Sequence, residues 1–300
     1  MPFIRLPQHT ALRSGFFMVL AMASFVANDT IVKLIGTSLP VGEIIALRGF
    51  LAVLLIAAIC AANGVLSRVS HVASGSVLVR ASLDLTATIL FVSALMHMQI
   101  ANLTAVMQAV PLAVALLSVL FLGEKVGWRR AAAIAVGFVG VLFIVKFEPS
   151  TFSRYDLLAL LVVLAVAIRD LVTKRIPARV PTLIVALANA CFVTLGGMAL
   201  LLFQNYVRPE ASQLVLLALA AVFLSSGYLC MVATLRLGDL SATAPFRYSI
   251  MIFAILSGVT VFGEFPDGLA ILGMALIVVS GLYAAHREAR LKDRAVTPVL

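Results

Sequence analysis

The segment EIIALRGFLAVLLIAAICAAN, residues 43–63, decides the fold class of this chain. It carries two charged side chains, Glu43 and Arg48, and is otherwise almost wholly apolar. A helix rises 1.5 Å per residue, so about 20 apolar residues cross the hydrocarbon core of a bilayer. The segment is therefore predicted to be a membrane-spanning helix.

Nine further segments of the sequence are also predicted to be membrane-spanning helices, and short connections join them. The 300 residues are 63% hydrophobic and 12% charged, against about 45–50% and about 25% in soluble domains. This composition excludes a soluble enzyme, a nucleic-acid-binding domain and a disordered chain, and it makes the lipid bilayer the expected environment. We predict an all-α integral membrane protein of ten transmembrane helices at 14–35, 43–63, 77–97, 100–122, 130–147, 156–175, 181–204, 212–235, 239–262 and 267–286.

The net charge of +9 predicts how these helices are oriented. If the N-terminus is cytoplasmic, fifteen of the 22 Lys and Arg residues lie in inner segments. The outer loops hold only Lys146, Arg154 and Arg208. Cytoplasmic loops of membrane proteins carry an excess of Lys and Arg. We therefore expect a multi-pass inner (plasma) membrane protein with both termini in the cytoplasm.

The sequence also contains an internal repeat. An Asp and a Lys of the first span, and the Pro that follows that span, recur 141 residues later in and after the sixth span, where Asp29, Lys33 and Pro40 match Asp170, Lys174 and Pro181. A Gly-Glu pair closes the fourth and ninth spans at 123–124 and 263–264. Five spans per repeat place the halves in opposite orientations, and such inverted repeats underlie alternating access in carriers. The predicted organisation is a first five-helix repeat at 14–147, a second at 156–286, and a cytoplasmic basic tail at 287–300.

These features resemble the drug/metabolite transporter superfamily, EamA type, over nearly the whole chain. The resemblance implies a ten-helix carrier of small metabolites with a central cavity lined mainly by spans 1–4 and 6–9. The run Asn-Asp-Thr-Ile-Val-Lys at 28–33 is similar to members assigned to riboflavin uptake. Members assigned to S-adenosylmethionine or amino-acid transport share much the same first helix. Riboflavin uptake is therefore the leading expectation, and amino-acid export or S-adenosylmethionine-type transport is the alternative.

Charged residues inside the membrane mark the candidate site, because each costs about 2.5–3.5 kcal/mol at the bilayer centre on insertion scales. Asp29 either binds substrate or a coupling proton, or it pairs with Lys33 four residues later. Arg48 offers a planar fork of donors to a substrate, or it is a structural partner of Asp29 or Glu43. The predicted substrate-binding residues are Arg247, Arg48, Asp29, Asn28, Gln108, Asp170, Tyr228 and Tyr248.

Other polar positions are predicted to serve structure. Arg80 and Asp84, four apart on the third span, predict an ion pair. Arg169 and Asp170 are adjacent, so at most one of them points squarely at a cavity. An intramembrane proline can kink a helix, and the exposed backbone is tolerated only beside protein or a wet cavity. The predicted structural or gating residues are Lys33, Pro111, Pro245, Glu124 and Glu264.

Three classes of function remain for a chain of this kind. A secondary carrier leads, since the chain has no GxxxxGK[ST] phosphate loop for a nucleotide-driven pump. An intramembrane enzyme is not expected, because HExxH, GxSxG and mid-span histidines are missing, and we predict no catalytic residue, metal site or cofactor. A channel is not expected either, because it would show rings of repeated polar residues, whereas the polar residues here are single and dispersed. The spacings Ala133-x-x-x-Gly137 and Gly281-x-x-x-Ala285 predict close helix packing, either within one chain or in a homodimer.

Overall fold

The computed structural model describes residues 8–65, 67, 75–123, 127–146, 152–173, 176, 180–237 and 240–296. Within these residues all regular secondary-structure elements are helices, and none is a strand. The prediction of an all-α protein is therefore confirmed. Glu124 lies outside the described residues, as do Arg5, Arg68, Lys125, Lys174, Arg175 and Arg179, which contribute to the charge bias.

The helices follow the predicted segments closely. They are α1 (Gln8–Ile35), α2 (Val41–Ala62), α3 (Gly75–Leu95), α4 (Ile100–Met107), α5 (Val110–Leu122), α6 (Trp128–Val145), α7 (Arg154–Thr173), α8 (Thr182–Leu200), α9 (Ala211–Leu237), α10 (Leu240–Arg247), α11 (Ser249–Ser257) and α12 (Gly268–Val296). A 3₁₀ turn at Leu201–Phe203 follows α8, and a π-helical turn at Gly258–Phe262 follows α11. The helix α12 continues ten residues beyond the predicted end of its span at 286.

Nine segments of the described chain are long and apolar enough to cross a membrane. The helix α7 has the length but carries Arg154 and Asp156 at its start and Arg169 and Asp170 near its end. The residues between these charges, 157–168, are wholly apolar. This helix is therefore the one predicted span whose charge content sets it apart from the other nine.

Two predicted spans are interrupted. The helix α4 ends at Met107 and α5 begins at Val110, with Pro111 in its first turn, where a missing N–H costs nothing. The helix α10 contains Pro245 and ends at Arg247, and the Tyr248 N–H bonds the Pro245 carbonyl at 3.2 Å. Proline chemistry thus accompanies each break.

The two broken spans have matching local geometry. Both α4 and α10 have eight residues, and their bounds are 140 apart. Gly123 and Gly263 end the spans with the same φ of 65° and ψ of 19°. This left-handed conformation favours glycine because it has no Cβ. Their N–H groups bond Ser118 and Gly258 respectively, each five residues back.

The chain divides into two compact units. Unit 1 comprises residues 1–26, 104–152 and 226–300, and unit 2 comprises 27–103 and 153–225. In unit 1, α6 packs along α12. In unit 2, α2 packs along α8 and α3 along α7. Each unit is therefore built from parts of both predicted repeats.

Glycines allow the paired helices to approach closely. In unit 2, a Cβ on Gly42 would lie 3.0 Å from the Gly197 carbonyl, and a Cβ on Gly197 would lie 3.1 Å from the Gly42 carbonyl. In unit 1, Gly140 and Gly273 face each other in the same reciprocal way. Gly137, from the predicted small-residue pattern, lies against Ser280 of the same chain. That part of the pattern is used for packing within the chain.

Gly197→Ala is expected to destabilise the protein by about 1–3 kcal/mol, as overpacked cores generally do. Its Cβ would lie 2.7 Å from the Ala46 backbone nitrogen, which cannot move aside as a flexible side chain can. Thermal unfolding of the detergent-solubilised protein measures the effect. Gly75→Ala is the control, because a Cβ there meets nothing within 4 Å. Equal unfolding temperatures for the two variants would contradict the close approach.

An ionic contact closes one end of the α6–α12 pair. The Asp267 carboxylate accepts a hydrogen bond from the Ala270 N–H at 2.9 Å and so caps α12. Lys146, just after α6, forms an ion pair with the same carboxylate. The bond from Lys146, followed by that from Ala270, holds the pKa of Asp267 below its usual value. The pair joins the two helix ends where they leave the apolar region.

Candidate functional site

Three predicted site residues of unit 2 form one hydrogen-bonded cluster. Arg48 on α2 donates from Nη1 to the Asn28 Oδ1 of α1 at 3.0 Å. Asn28 then donates from Nδ2 to the Asp29 Oδ1 at 2.9 Å. The Asn28 amide therefore joins a guanidinium to a carboxylate, with its acceptor end on Arg48 and its donor end on Asp29.

This charged cluster lies well inside the apolar segments. Asn28 and Arg48 are 2% and 8% exposed, and Asp29 is partly exposed. Asp29 is six residues from the end of α1, or about 9 Å, and Arg48 is seven residues into α2, or about 10 Å. The positive charge of Arg48 acts electrostatically on the Asp29 carboxylate. A partly exposed carboxyl group thus lies at similar depth to a buried guanidinium, and the Asn28 amide joins the two.

Lys33 lies one turn beyond Asp29 on α1 and is 8% exposed. Its Nζ donates to the Met98 carbonyl at 2.7 Å. Met98 belongs to the turn between α3 and α4, so the contact ties the C-terminal part of α1 to that turn.

A cavity of about 570 Å³ opens where α1 ends and α2 begins. Its wall consists of residues 36–41 together with Met96, Phe203, Gln204, Asn205 and Val207. The cluster of Asn28, Asp29 and Arg48 is not part of this wall. On both α1 and α2 the cluster lies about seven residues away from the wall residues nearest to it in sequence, which corresponds to a rise of about 10 Å.

Asp170 belongs to a second polar cluster in unit 2. Arg169 donates from Nη1 to the Asp84 Oδ1 of α3 at 2.5 Å, and from Nε and Nη2 to the Asp170 Oδ1 at 3.0 and 2.9 Å. Asn189 on α8 donates from Nδ2 to the Asp84 Oδ2. One guanidinium thus lies between two carboxylates, and three helices meet at Asp84.

The second cluster corrects one expectation about pairing, that of Arg80 with Asp84. Asp84 bonds Arg169 and Asn189, whereas the Arg80 Nε donates to the Thr173 Oγ1 at 2.9 Å, so the predicted Arg80–Asp84 pair is replaced. Adjacent Arg169 and Asp170 do meet, because the long arginine side chain folds back along its own helix. The i,i+4 rule describes only contacts within one helix, and here bonds between helices prevail.

The remaining predicted residues of unit 1 lie around its helix breaks. Gln108 is 5% exposed at the α4–α5 break, and Pro111 is exposed just after it. Arg247 and Pro245 are exposed at the end of α10. The Tyr248 hydroxyl faces Gly281 of α12, where a Cβ would collide with it. Glu264 is partly exposed after the Gly263 turn.

Tyr228 on α9 is 54% exposed. Its ring meets Phe25 edge to face, with centroids 5.5 Å apart. Its neighbour Gly227 also lies against Phe25. One edge of the Tyr228 ring is thus held by packing, and more than half of the residue remains accessible to a planar molecule.

The model of the EamA-like transporter family matches residues 12–146 and 153–284. The chain belongs to this family. The EamA-like chain is therefore a membrane transporter, and its family and named relatives are transporters rather than enzymes. Among its described residues, no group of three or more His, Cys, Asp or Glu could hold a metal ion.

Relatives of this EamA-like transporter have different named substrates. It is 27% identical to an S-adenosylmethionine uptake transporter of Rickettsia conorii, covering 93% of this chain and 94% of the relative. It is 28% identical to the pseudopaline exporter CntI of Pseudomonas aeruginosa, covering 90% and 95%. It is 30% identical to a riboflavin transporter of Rhizobium johnstonii, covering 57% of each chain. These relatives do not single out riboflavin.

A solved structure has the same overall fold as this EamA-like transporter. Its TM-score is 0.62 at 20% identity, and the match covers 95% of this chain and 99% of that one. At this identity the likeness concerns the fold alone. It shows that the helical arrangement also occurs in a protein solved by crystallography.

The structure brings forward two residues that were not among the predicted site residues of this EamA-like transporter, although Glu43 was considered as a partner of Arg48. Asn189 reaches Asp84 from α8, and its Oδ1 is buried without a hydrogen-bond partner among the described residues. Glu43 is only 1% exposed in the first turn of α2. Asn189 is uncharged, and Glu43 stands at the first residue of its predicted span, where the membrane interface would be expected. The available signal was that both are polar side chains within apolar runs.

Proposed function

We propose that this EamA-like transporter is a secondary carrier working by alternating access, with ten spans in two inverted five-helix repeats. The equal lengths and 140-residue offset of α4 and α10 support the repeat. So does the start of α2 and α8 directly after extended prolines, Pro40 and Pro181. In this proposal α7 is the tenth span, because its inner charges are mutually neutralised and residues 157–168 are apolar. The repeats are 14–147 and 156–286.

We further propose that the protein lies in the inner membrane with both termini in the cytoplasm. The excess of Lys and Arg in the terminal segments and in the loops that follow even-numbered spans supports this orientation. It places the 570 Å³ cavity on the outer side, because that cavity lies between the end of the first span and the start of the second. A solute entering from outside would then meet the cavity first and the charged cluster about 10 Å deeper.

The paired charges of Asp29 and Arg48 carry the substrate proposal. A zwitterion presents a carboxylate and an ammonium group side by side, and a guanidinium and a carboxylate at equal depth complement it. Arginine can bind a carboxylate through two parallel donors. We therefore propose uptake of a small metabolite with an α-amino acid group, with S-adenosylmethionine as the first compound to test. The relative from Rickettsia conorii, matched over nearly its whole length, supports this choice.

Riboflavin is the second candidate. The identity of 30% to the riboflavin transporter of Rhizobium johnstonii supports it, and the accessible face of Tyr228 could stack on a planar ring. Riboflavin lacks a zwitterionic head group, so it would leave the complementary charges of Asp29 and Arg48 unused. We therefore rank it below an amino-acid-containing substrate.

Uptake into proteoliposomes tests the proposal. Radiolabelled S-adenosylmethionine should accumulate saturably, and unlabelled compound preloaded inside should accelerate its entry, as expected for a carrier. Riboflavin is measured in parallel, and empty liposomes are the control. Saturable riboflavin uptake without S-adenosylmethionine uptake would reverse the ranking. Ohmic current without saturation would contradict the carrier mechanism.

Arg247→Ala is expected to reduce transport about tenfold while membrane abundance stays near normal. An exposed arginine in an apolar segment is tolerated when it faces a wet cavity rather than lipid, and one charged hydrogen bond to a substrate accounts for about this loss. Uptake divided by the immunoblotted amount of protein measures the effect. Arg13→Ala, another exposed arginine of unit 1, is the control. Loss of the protein itself would assign Arg247 a structural role.

A further inference from the structure

Glu43 is a buried carboxylate with one unused oxygen. The residue is 1% exposed. Its Oε2 accepts a hydrogen bond from the Val207 N–H at 3.3 Å. Its Oε1 is buried and has no hydrogen-bond partner among the described residues. Buried polar atoms are nearly always paired, and a buried charge is costly unless it is compensated. The free oxygen can therefore accept a further hydrogen bond or bind a cation.

The chain around Glu43 forms a strap over the start of α2, made of residues 204–213. The Gln204 Oε1 accepts a hydrogen bond from the Gly42 N–H at 2.9 Å. Gln213 donates from Nε2 to the Ser38 Oγ at 2.9 Å. With the Val207 bond, three hydrogen bonds hold the strap on the 38–43 segment. The strap is thus fixed to the segment that carries Glu43.

The same strap forms part of the wall of the 570 Å³ cavity. Gln204 and Val207 line it from one side, and Pro40 and Val41 line it from the other. Glu43 is bonded directly to one of these lining residues. Glu43 is not itself part of the wall, and the Val207 bond connects its carboxylate to a residue that is.

The local electrostatics suit a cation. Glu43 occupies the first turn of α2, where the helix dipole stabilises a negative charge. None of the ion pairs among the described residues involves Glu43. The charged residues of the strap, Arg208 and Glu210, both have exposed side chains.

We propose that Glu43 binds a monovalent cation at the mouth of the cavity, through its free Oε1. The cation is either the positively charged group of an entering substrate or Na⁺, since both offer one positive charge to a carboxylate oxygen. The first source rests on the proposed function, because it requires a cationic substrate of the S-adenosylmethionine type. In both cases Glu43 precedes the cluster of Asp29 and Arg48 on the way inward.

A sodium titration tests the site without knowledge of the substrate. The full chain is purified in detergent, and NaCl replaces choline chloride at constant ionic strength while thermal unfolding is followed. If the cation is Na⁺, the unfolding temperature should rise by about 2–4 °C or more. Glu43→Gln should abolish the rise, because glutamine keeps an acceptor for the Val207 N–H but loses the charge. Glu210→Gln, in the same strap but exposed, should leave it unchanged.

Uptake measurements test the second possibility, in which the cation is the positively charged group of the substrate. If the substrate itself supplies the cation, sodium has no effect, and Glu43→Gln raises the KM for S-adenosylmethionine about tenfold with kcat nearly unchanged. Glu43→Asp, which keeps the charge on a shorter side chain, should show a smaller rise. Wild-type sodium response and wild-type KM in both Glu43 variants would overturn the proposal. An equal loss in Glu210→Gln would also overturn it, by assigning the effect to surface charge. Failure of the wild-type protein to transport S-adenosylmethionine contradicts the proposed function and leaves the sodium test valid.

Discussion

Arg48→Lys is expected to lower kcat/KM for uptake about a hundredfold while the protein reaches the membrane in near-normal amount. Lysine keeps the positive charge but presents a single ammonium group in place of a planar fork. It cannot bond the Asn28 Oδ1 and still offer two parallel donors to a substrate carboxylate. The loss corresponds to about 2.7 kcal/mol of transition-state stabilisation, the size of one strong charged hydrogen bond.

Arg154→Lys is the matched control, because Arg154 is an exposed arginine of the same unit that contacts the Tyr155 ring and hydroxyl. Initial uptake rates in proteoliposomes, normalised to incorporated protein, give the comparison. Asn28→Ala should cost less than Arg48→Lys, because it removes the bridge to Asp29 and leaves both charges in place. A wild-type rate for Arg48→Lys would show that the guanidinium only supports the fold.

The sequence predicted which residues are unusual better than it predicted their partners. Asp29 and Arg48 stand out because a charge in an apolar segment is costly, and that argument needs only one helix at a time. Asp170 stands out as the repeat mate of Asp29. Their contacts depend on how helices pack. Asp84 was expected to pair with Arg80 on its own helix, but it bonds Arg169 and Asn189 from two others.

The bounds of the helices, like the unusual residues, could be predicted from properties of one segment at a time. Apolar runs marked the helices to within a few residues over most of the chain, because length and hydropathy are local properties. In the sequence, only Pro111 and Pro245 indicated the interruptions at 108–109 and at Tyr248. A proline indicates where a helix can break, and the packing around it determines whether the break forms. The burial of Glu43 depended on the strap at 204–213, which is far away in sequence.

Arg169→Gln is expected to destabilise the protein by about 3–5 kcal/mol, the usual result of removing one member of a buried ion pair. Arg169 lies between the carboxylates of Asp84 and Asp170, and the first of these is only 13% exposed at its side chain. Without the guanidinium, two negative charges would share the junction of α3, α7 and α8. Thermal unfolding in detergent and membrane abundance measure the loss.

The double variant Asp84→Asn/Arg169→Gln separates charge balance from other effects. It removes the buried carboxylate together with its partner, and the remaining Asp170 is 42% exposed at its side chain and can be solvated. Replacing both members of a buried pair is often nearly neutral, whereas removing one is not. The double variant should therefore recover most of the lost stability. If it is no more stable than Arg169→Gln, the arginine contributes packing rather than charge, because its long side chain would then be needed to join α7 to α3.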